Sequence, residues 1–236
     1  MKLETREAYC VRMVRAGTRS VIDIGCGTGS VLNSLPGVDR RVGVDTDGEL
    51  IAIARAAVPA AQFEVIDGGR LPFEDSSFEV AVLSEVLEHV GNANKVGVVN
   101  EALRVLAPGG RLIVTCPHRG PFSRLDPLDF KRSMPRLYAA YRSRRGGSPK
   151  TAADIGHVPL TRSEVDALLQ GRTTTVDLRL GGPVSPLLAN VMLVLMLTRR
   201  PDSWRYALAQ VSDREQSLPS PPWFAHALRM TVELDA

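Results

Sequence analysis

The segment Val21-Ile-Asp-Ile-Gly-Cys-Gly-Thr-Gly29 constrains the fold of this chain more than any other. A short apolar run leads directly into three glycines at alternate positions, Gly25, Gly27 and Gly29. Glycine lets a backbone turn sharply and approach a ligand closely. The residues that follow repeat an alternation of apolar runs and helical patterns. Residues 20–25, 41–45, 62–67, 78–83 and 111–116 read as strands, and residues 28–35, 48–57 and 94–106 as helices. The last of these helices is expected to place Val96, Val99, Leu103 and Leu106 on one face. Pro108-Gly109-Gly110 is expected to break the chain before the fifth strand. Strands apolar on both sides, separated by helices, argue for a parallel sheet covered by helices. Right-handed crossovers wind such a sheet in both directions. Its ligands sit beyond the carboxyl ends of the strands, so the residues there carry the functional information.

Three acids stand at or near those ends. Asp23 precedes the glycine turn and is expected to tie it down through its amides. Asp45 closes the second strand, where a carboxylate accepts hydrogen bonds from both hydroxyls of a ribose. Asp67, followed by Gly68, closes the third, where it can accept from an adenine amino group. The glycine spacing is G-x-G-x-G, whereas a dinucleotide fingerprint places its last glycine one residue later. The tighter turn suits a ligand without phosphate, such as S-adenosylmethionine. VIDIGCGTG, the acid at Asp45, IDGGRLPFEDSSFEVAVLSEVLEHV and LRVLAPGGRLIVTCP follow one another in order and spacing from about residue 20 to 118. As a set they resemble the motifs of class I S-adenosylmethionine-dependent methyltransferases. The resemblance implies a Rossmann-like α/β fold with seven strands, mostly parallel with the last antiparallel, and helices on both faces. It also implies S-adenosylmethionine as cofactor. Gly25, Cys26, Gly27 and Gly29 would meet its methionine part, Asp45 its ribose, and Asp67 with Gly68 its adenine. Ser84 would lie near the transferred methyl, and Asp23 and Thr46 complete the expected cofactor set.

Glu85-Val-Leu-Glu88-His89 stands where acceptor should meet cofactor. On a helical turn Glu85, Glu88 and His89 would share a face. Two carboxylates and an imidazole suit Mg2+ or Mn2+. The E-x-x-E-H pattern resembles two metal-assisted groups, the small-RNA 2′-hydroxyl methyltransferases and the ubiquinone-pathway O-methyltransferases. In the former a later histidine completes the site, and His157 matches its place, although the residues around it depart from that pattern. The same five residues also occur in relatives with no demonstrated metal, where they pack at a helix start or the histidine acts as a base. Glu85, His89 and His118 are therefore the catalytic candidates, and Glu85, Glu88, His89 and His157 the candidate metal ligands.

The remainder of the 236 residues reads as the acceptor side of a single domain. Residues 1–19 form an N-terminal helix with Val11 and Val14 on its apolar side, and 20–117 the cofactor core. Residues 118–158 form a lid, and 159–236 a C-terminal part with an apolar insert over 183–225. That last part should contain a helix over 161–169 and strands over 173–180 and 228–234. The lid carries nine Lys and Arg from Arg119 to Lys150 against Asp126 and Asp129. Arginine clusters bind phosphate or carboxylate, yet such runs are usually solvated faces. The net charge of +3 is too small to argue nucleic-acid binding. The apolar run 187–197 is shorter than the roughly 20 residues that span a bilayer. Burial, a tunnel wall, a dimer contact and peripheral membrane contact through 186–200 all suit it. Cys10, Cys26 and Cys116 are too far apart in sequence to suggest a disulfide framework or a zinc site, and the N-terminus lacks a leader-like apolar core. A cytoplasmic protein is expected, acting on a small or lipid-like acceptor, most simply at a hydroxyl oxygen. An RNA 2′-hydroxyl acceptor and a non-catalytic cofactor-binding role are the alternatives, and a homodimer is compatible with all three.

Overall fold

A computed structural model describes residues 5–119, 158–181 and 227–235. His157, most of the basic 118–158 segment and the apolar 186–200 segment lie outside them. The chain divides into two compact units. One comprises Arg6–Cys116, Arg162–Leu178 and Arg229–Ala236, and the other comprises Met1–Thr5, Pro117–Thr161 and Arg179–Leu228.

The described elements are α1 (Arg6–Met13), β1 (Ser20–Ile24), α2 (Ser30–Asn33), β2 (Arg40–Asp45), α3 (Gly48–Ala57), β3 (Gln62–Val65), β4 (Phe78–Ser84), α4 (Asn92–Arg104), β5 (Leu106–Pro117), α5 (Arg162–Leu169), β6 (Thr173–Gly181) and β7 (Ala227–Leu234). The seven strands form one sheet in the order β3-β2-β1-β4-β5-β7-β6. It is mostly parallel, with β1 against β2 and β4, β2 against β3, and β4 against β5 all parallel, and antiparallel at the last strands. The order reverses direction at β1, so the crevice beside the β1 and β4 ends is the switch point where such sheets bind ligands.

Successive strand side chains point to opposite faces. Val21, Val80, Val82 and Ile113 join a core with Tyr9, Cys10 and Met13 of α1, Val31 and Leu32 of α2, and Ile51 and Ala54 of α3. Ile22, Ala81, Leu83 and Leu112 alternate with them and are fully buried on the other face. Each fully buried aliphatic or phenyl side chain contributes roughly 1.5–3 kcal/mol. The residue that α1 and α4 turn inward differs from the expectation. In α1 it is Tyr9, Cys10 and Met13 that are buried, with Val11 and Val14 only partly so. In α4 Val96 is exposed, whereas Lys95 is buried and its Nζ donates to Asn92 Oδ1 at 3.0 Å. Apolar period alone could not reveal that a buried lysine carries its own acceptor one turn away.

Pro108-Gly109-Gly110 does not interrupt the chain before β5; it lies inside it. Phe78 pairs with Leu106 and Val80 with Arg111, so two steps along β4 face five along β5. The surplus is absorbed as a bulge, which Gly109 permits with φ at 71°. On β2, Gly43 is required by packing: a Cβ there would lie 2.6 Å from Phe63 Cδ1 and 2.8 Å from Cys26 Sγ. Gly43→Ala is therefore expected to lower stability by about 1–3 kcal/mol through overpacking, read as a lower chemical-denaturation midpoint at unchanged slope. An unchanged midpoint would mean that Phe63 yields without cost.

Candidate active site

A cavity of about 440 Å³ opens at the carboxyl ends of β1, β2, β3 and β4. Of the residues expected to touch cofactor, Gly25, Asp45, Thr46, Asp67 and Gly68 line it, together with Glu85 and His89. The glycine turn is built from the backbone outward. Gly25 and Cys26 both donate to the Val44 carbonyl, at 2.7 and 3.0 Å, which straps the turn to β2. Gly25 has φ at 77°, and a Cβ on it would lie 2.5 Å from Val86 Cγ2. A side chain there would displace the wall of the cavity. Gly27 and Gly29 take positive φ as well, and Cys26 is buried beneath the turn.

Asp45 performs the tie that sequence reasoning assigned to Asp23. Its Oδ2 accepts from the Gly27 amide at 2.8 Å, and its Oδ1 accepts from the Asp47 amide at 3.0 Å. Each oxygen retains a lone pair for a ligand in the cavity. Asp23 Oδ1 is buried without a hydrogen-bond partner. Burial pushes the Asp23 carboxyl up to about 7, opposed by the Arg6 guanidinium and reinforced by the charge of Asp45. Asp67 folds back on its own segment, with Oδ1 accepting from the Gly69 amide at 2.8 Å. Asp45 and Asp67 thus bring two carboxyl groups to the cavity, and among the described residues no lysine or arginine lines it.

The segment after β4 is a hydrogen-bonded turn, with the His89 amide on the Val86 carbonyl at 2.9 Å, and not the helical turn expected. Glu85 takes φ at 58°, a left-handed conformation that costs a non-glycine residue on the order of 1–3 kcal/mol. It is held there by its amide on the Thr115 carbonyl at 2.9 Å. Ser84 Oγ meets Thr115 Oγ1 at 3.1 Å, and Thr115 Oγ1 donates to Glu85 Oε1 at 3.2 Å. Ser84 thus serves a hydroxyl chain that ends on Glu85. Arg6 Nη1 stands 3.9 Å from Glu85 Oε2. Nothing in the sequence pattern pointed to Arg6 or Thr115, because both reach the site from elements distant in the chain.

Glu88 is turned into the core. It is fully buried, lines no part of the cavity, and neither oxygen has a hydrogen-bond partner of normal geometry. Burial raises both Glu85 and Glu88 above the carboxylate range, and the Glu85 charge raises Glu88 further. Two adjacent carboxyls do not both ionise readily in such surroundings. Of the two, Glu85 is the one whose charged form is favoured by its neighbours, Arg6 and the Thr115 hydroxyl, against that burial. His89, about half exposed, lines the cavity with Nε2 3.8 Å from Glu88 Oε1.

This donor set does not fit the E-x-x-E-H metal site. A divalent ion requires ionised carboxylates open to it, whereas Glu88 is fully buried, lines no part of the cavity and has its carboxyl raised by burial, and a guanidinium already faces Glu85. Among the described residues no three His, Cys, Asp or Glu side chains converge to hold a metal ion. His157 is not among them. His118 belongs to the other compact unit, the one that includes Pro117–Thr161. It is buried beside a parallel bridge to Leu160, flanked by the Leu160 amide on the Pro117 carbonyl at 3.0 Å.

Residues 22–114 match the family model described as a methyltransferase domain. Over those residues the chain carries a methyltransferase domain, with the class I, S-adenosylmethionine-dependent pattern of its relatives. A Mycolicibacterium smegmatis protein named as a probable S-adenosylmethionine-dependent methyltransferase is 36% identical over 118 residues, 49% of this chain and 45% of that protein. A demethylmenaquinone methyltransferase of Tropheryma whipplei is 34% identical over 128 residues, 51% of this chain and 53% of that protein. The chain thus aligns with about half the length of these curated relatives. Among solved structures, the [4+2]-cyclase SpnF superposes with a TM-score of 0.61 at 17% identity, covering 98% of this chain and 80% of that one. That likeness shows the fold, and the chemistry rests on the site.

Asp23 offers a pH test of the methyltransferase domain. An unfolded aspartate titrates near 4 (roughly), so between there and about 7 the native state binds the Asp23 proton more tightly. Its contribution to stability is complete below the unfolded value and is lost as pH rises through the folded one. Asp23→Asn is expected to flatten the fall in stability between pH 4 and 7 (approximately) in denaturation curves. An equally steep fall in the variant would assign the dependence to other groups.

Proposed function

We propose that this protein binds S-adenosylmethionine in the 440 Å³ cavity and transfers its methyl group to a hydroxyl oxygen of a small or lipid-linked acceptor. The observation that carries the reading is the convergence of Gly25, Asp45, Asp67–Gly68 and Glu85 from four neighbouring strand ends onto one cavity. Bound there, the cofactor supplies an already activated methyl on a sulfonium. The protein's part is then mainly alignment, which is worth about 7–11 kcal/mol when two reactants are held in line. Asp45 would accept the ribose hydroxyls with its remaining lone pairs, and the Asp67–Gly69 segment would border the adenine. Glu85, held by Thr115, would border the methionine end. A hydroxyl acceptor must also lose its proton. His89, which lines the cavity and is about half exposed, would take it.

The acceptor class rests on chemistry and likeness together. A relative named as a demethylmenaquinone methyltransferase supports a quinone-like or otherwise lipid-linked acceptor, and one named as an O-methyltransferase supports oxygen. The chain is read as a single methyltransferase domain spanning 1–236, whose basic 118–158 and apolar 186–200 segments carry the charge and apolarity that such a molecule, or a membrane surface, would meet. Among the described residues no helix is long and apolar enough to cross a membrane. No step is assigned to a metal, because Glu88 is withdrawn from the candidate donor set.

The test is transfer of label from methyl-labelled S-adenosylmethionine to a panel of quinone, lipid and RNA acceptors. Label is expected on a quinol or lipid hydroxyl oxygen, with the hydroxyl proton released and the rate unchanged in excess chelator. Loss of activity with chelator would restore a metal role to Glu85, His89 and His157, and salt-sensitive labelling of RNA would select the RNA reading. Binding without labelling of any acceptor would favour a non-catalytic role. Asp45→Ala is expected to raise KM for the cofactor by at least about tenfold, with a smaller effect on kcat. An unchanged KM would overturn the ribose assignment.

A further inference from the structure

The stretch between β3 and β4 contains no regular element, yet it forms one wall of the cavity through Gly68, Gly69 and Leu71. The facing wall is a stripe of α4, Asn94, Val98 and Glu101, spaced so that all three share a helical face. The two walls are joined by the last residue of α4. Arg104 Nε donates to Glu101 Oε1 at 2.9 Å, and its Nη2 donates to Glu101 Oε2 at 2.8 Å and to the Leu71 carbonyl at 3.1 Å. Its Nη1 donates to the Phe73 carbonyl at 2.8 Å and to Asp75 Oδ1 at 2.7 Å. Glu101 Oε2 in turn accepts from the Leu71 amide at 2.8 Å, so one ion pair grips both backbone groups of Leu71. The Arg104 carbonyl accepts from the Ser76 amide at 2.9 Å as well.

We infer that Arg104 is a positioning residue for the cofactor: by clamping Leu71–Asp75 to α4 it fixes the separation of the two walls that border the adenine. The inference rests on reading the cavity as the S-adenosylmethionine site. Arg104 itself does not line the cavity, so its influence passes through Leu71 and Glu101. Five donors in a rigid planar fork satisfy three carbonyl or carboxylate partners and the Glu101 pair at once; a lysine has a single nitrogen and cannot. Leu71 is buried and Phe73 packs edge-on against Phe78 with ring centroids 5.3 Å apart. These apolar contacts hold the stretch near the sheet, while the guanidinium fixes its distance from α4.

The experiment compares wild type with Arg104→Lys by calorimetric titration of S-adenosylhomocysteine and of adenosine, alongside amide hydrogen exchange. Affinity for both ligands is expected to fall by the same factor, about tenfold, because both depend on the adenine end. Exchange should quicken at Gly69 and Leu71 and stay unchanged along β1 and β4. A variant that binds S-adenosylhomocysteine within about twofold of wild type would overturn the inference, as would equal quickening in the strands, the mark of a purely structural role. Should Arg104→Lys fail to fold, Asp75→Ala removes one exposed partner of the fork, and a two- to threefold loss (roughly) with faster Leu71 exchange is expected; no loss counts against the clamp. Failure of wild type to bind either ligand would instead remove the cofactor reading itself.

Discussion

The carboxylate of Asp45 is the joint on which the cofactor side of the molecule depends. One oxygen holds the Gly27 amide, and the other holds the Asp47 amide. Asp47 then caps α3, accepting from the Glu49 and Leu50 amides. The turn after β1 and the helix after β2 are therefore fastened to the same side chain. The Val44 carbonyl completes the strap by accepting from Gly25 and Cys26. A parallel sheet aligns its strand ends by register, but a ligand site needs the loops beyond those ends in fixed positions. Here short polar ties achieve that: Asp45 for the first loop and Arg104 with Glu101 for the loop after β3.

A second constraint is the cost of the charges buried behind the cavity. Asp23, Glu85 and Glu88 lie within one packed region, with Arg6 as the cation facing Glu85. Burial makes neutral carboxyls the cheaper state for Asp23 and Glu88. At Glu85, which reaches the cavity, the Thr115 hydroxyl and Arg6 favour the charged form against that burial. The left-handed Glu85 backbone fits the same pattern, in which local strain at the end of a strand aims a polar side chain at the ligand space.

How far the sequence could be read follows from which signals are local. The α3 helix was legible to the residue because an Asp-Gly start with a capping side chain and an apolar period specify it without help from the rest of the chain. The glycine turn and the acids at Asp45 and Asp67 were legible because strand ends carry their meaning by position. Glu85-Val-Leu-Glu88-His89 was misread as a helical face, since the hydrogen bond from Glu85 to Thr115 that forces a turn comes from another strand. Pro108-Gly109-Gly110 resembled a break because register against β4 is invisible in one strand's sequence. The Asp23 tie failed for the same reason: Asp45 competes for the same amide from the neighbouring strand. The roles of Arg6 and Arg104 are wholly tertiary, one bringing α1 to Glu85 and the other joining α4 to a loop about thirty residues before it.

The central claim is that the cavity beyond β1, β2, β3 and β4 is a S-adenosylmethionine site, and it is tested most directly by titrating the whole protein calorimetrically with S-adenosylhomocysteine. One-to-one binding at micromolar strength, about −8 kcal/mol, unaffected by magnesium and lost when Gly25 is replaced by valine, is the predicted result. No measurable heat of binding from a folded wild-type protein would contradict the account.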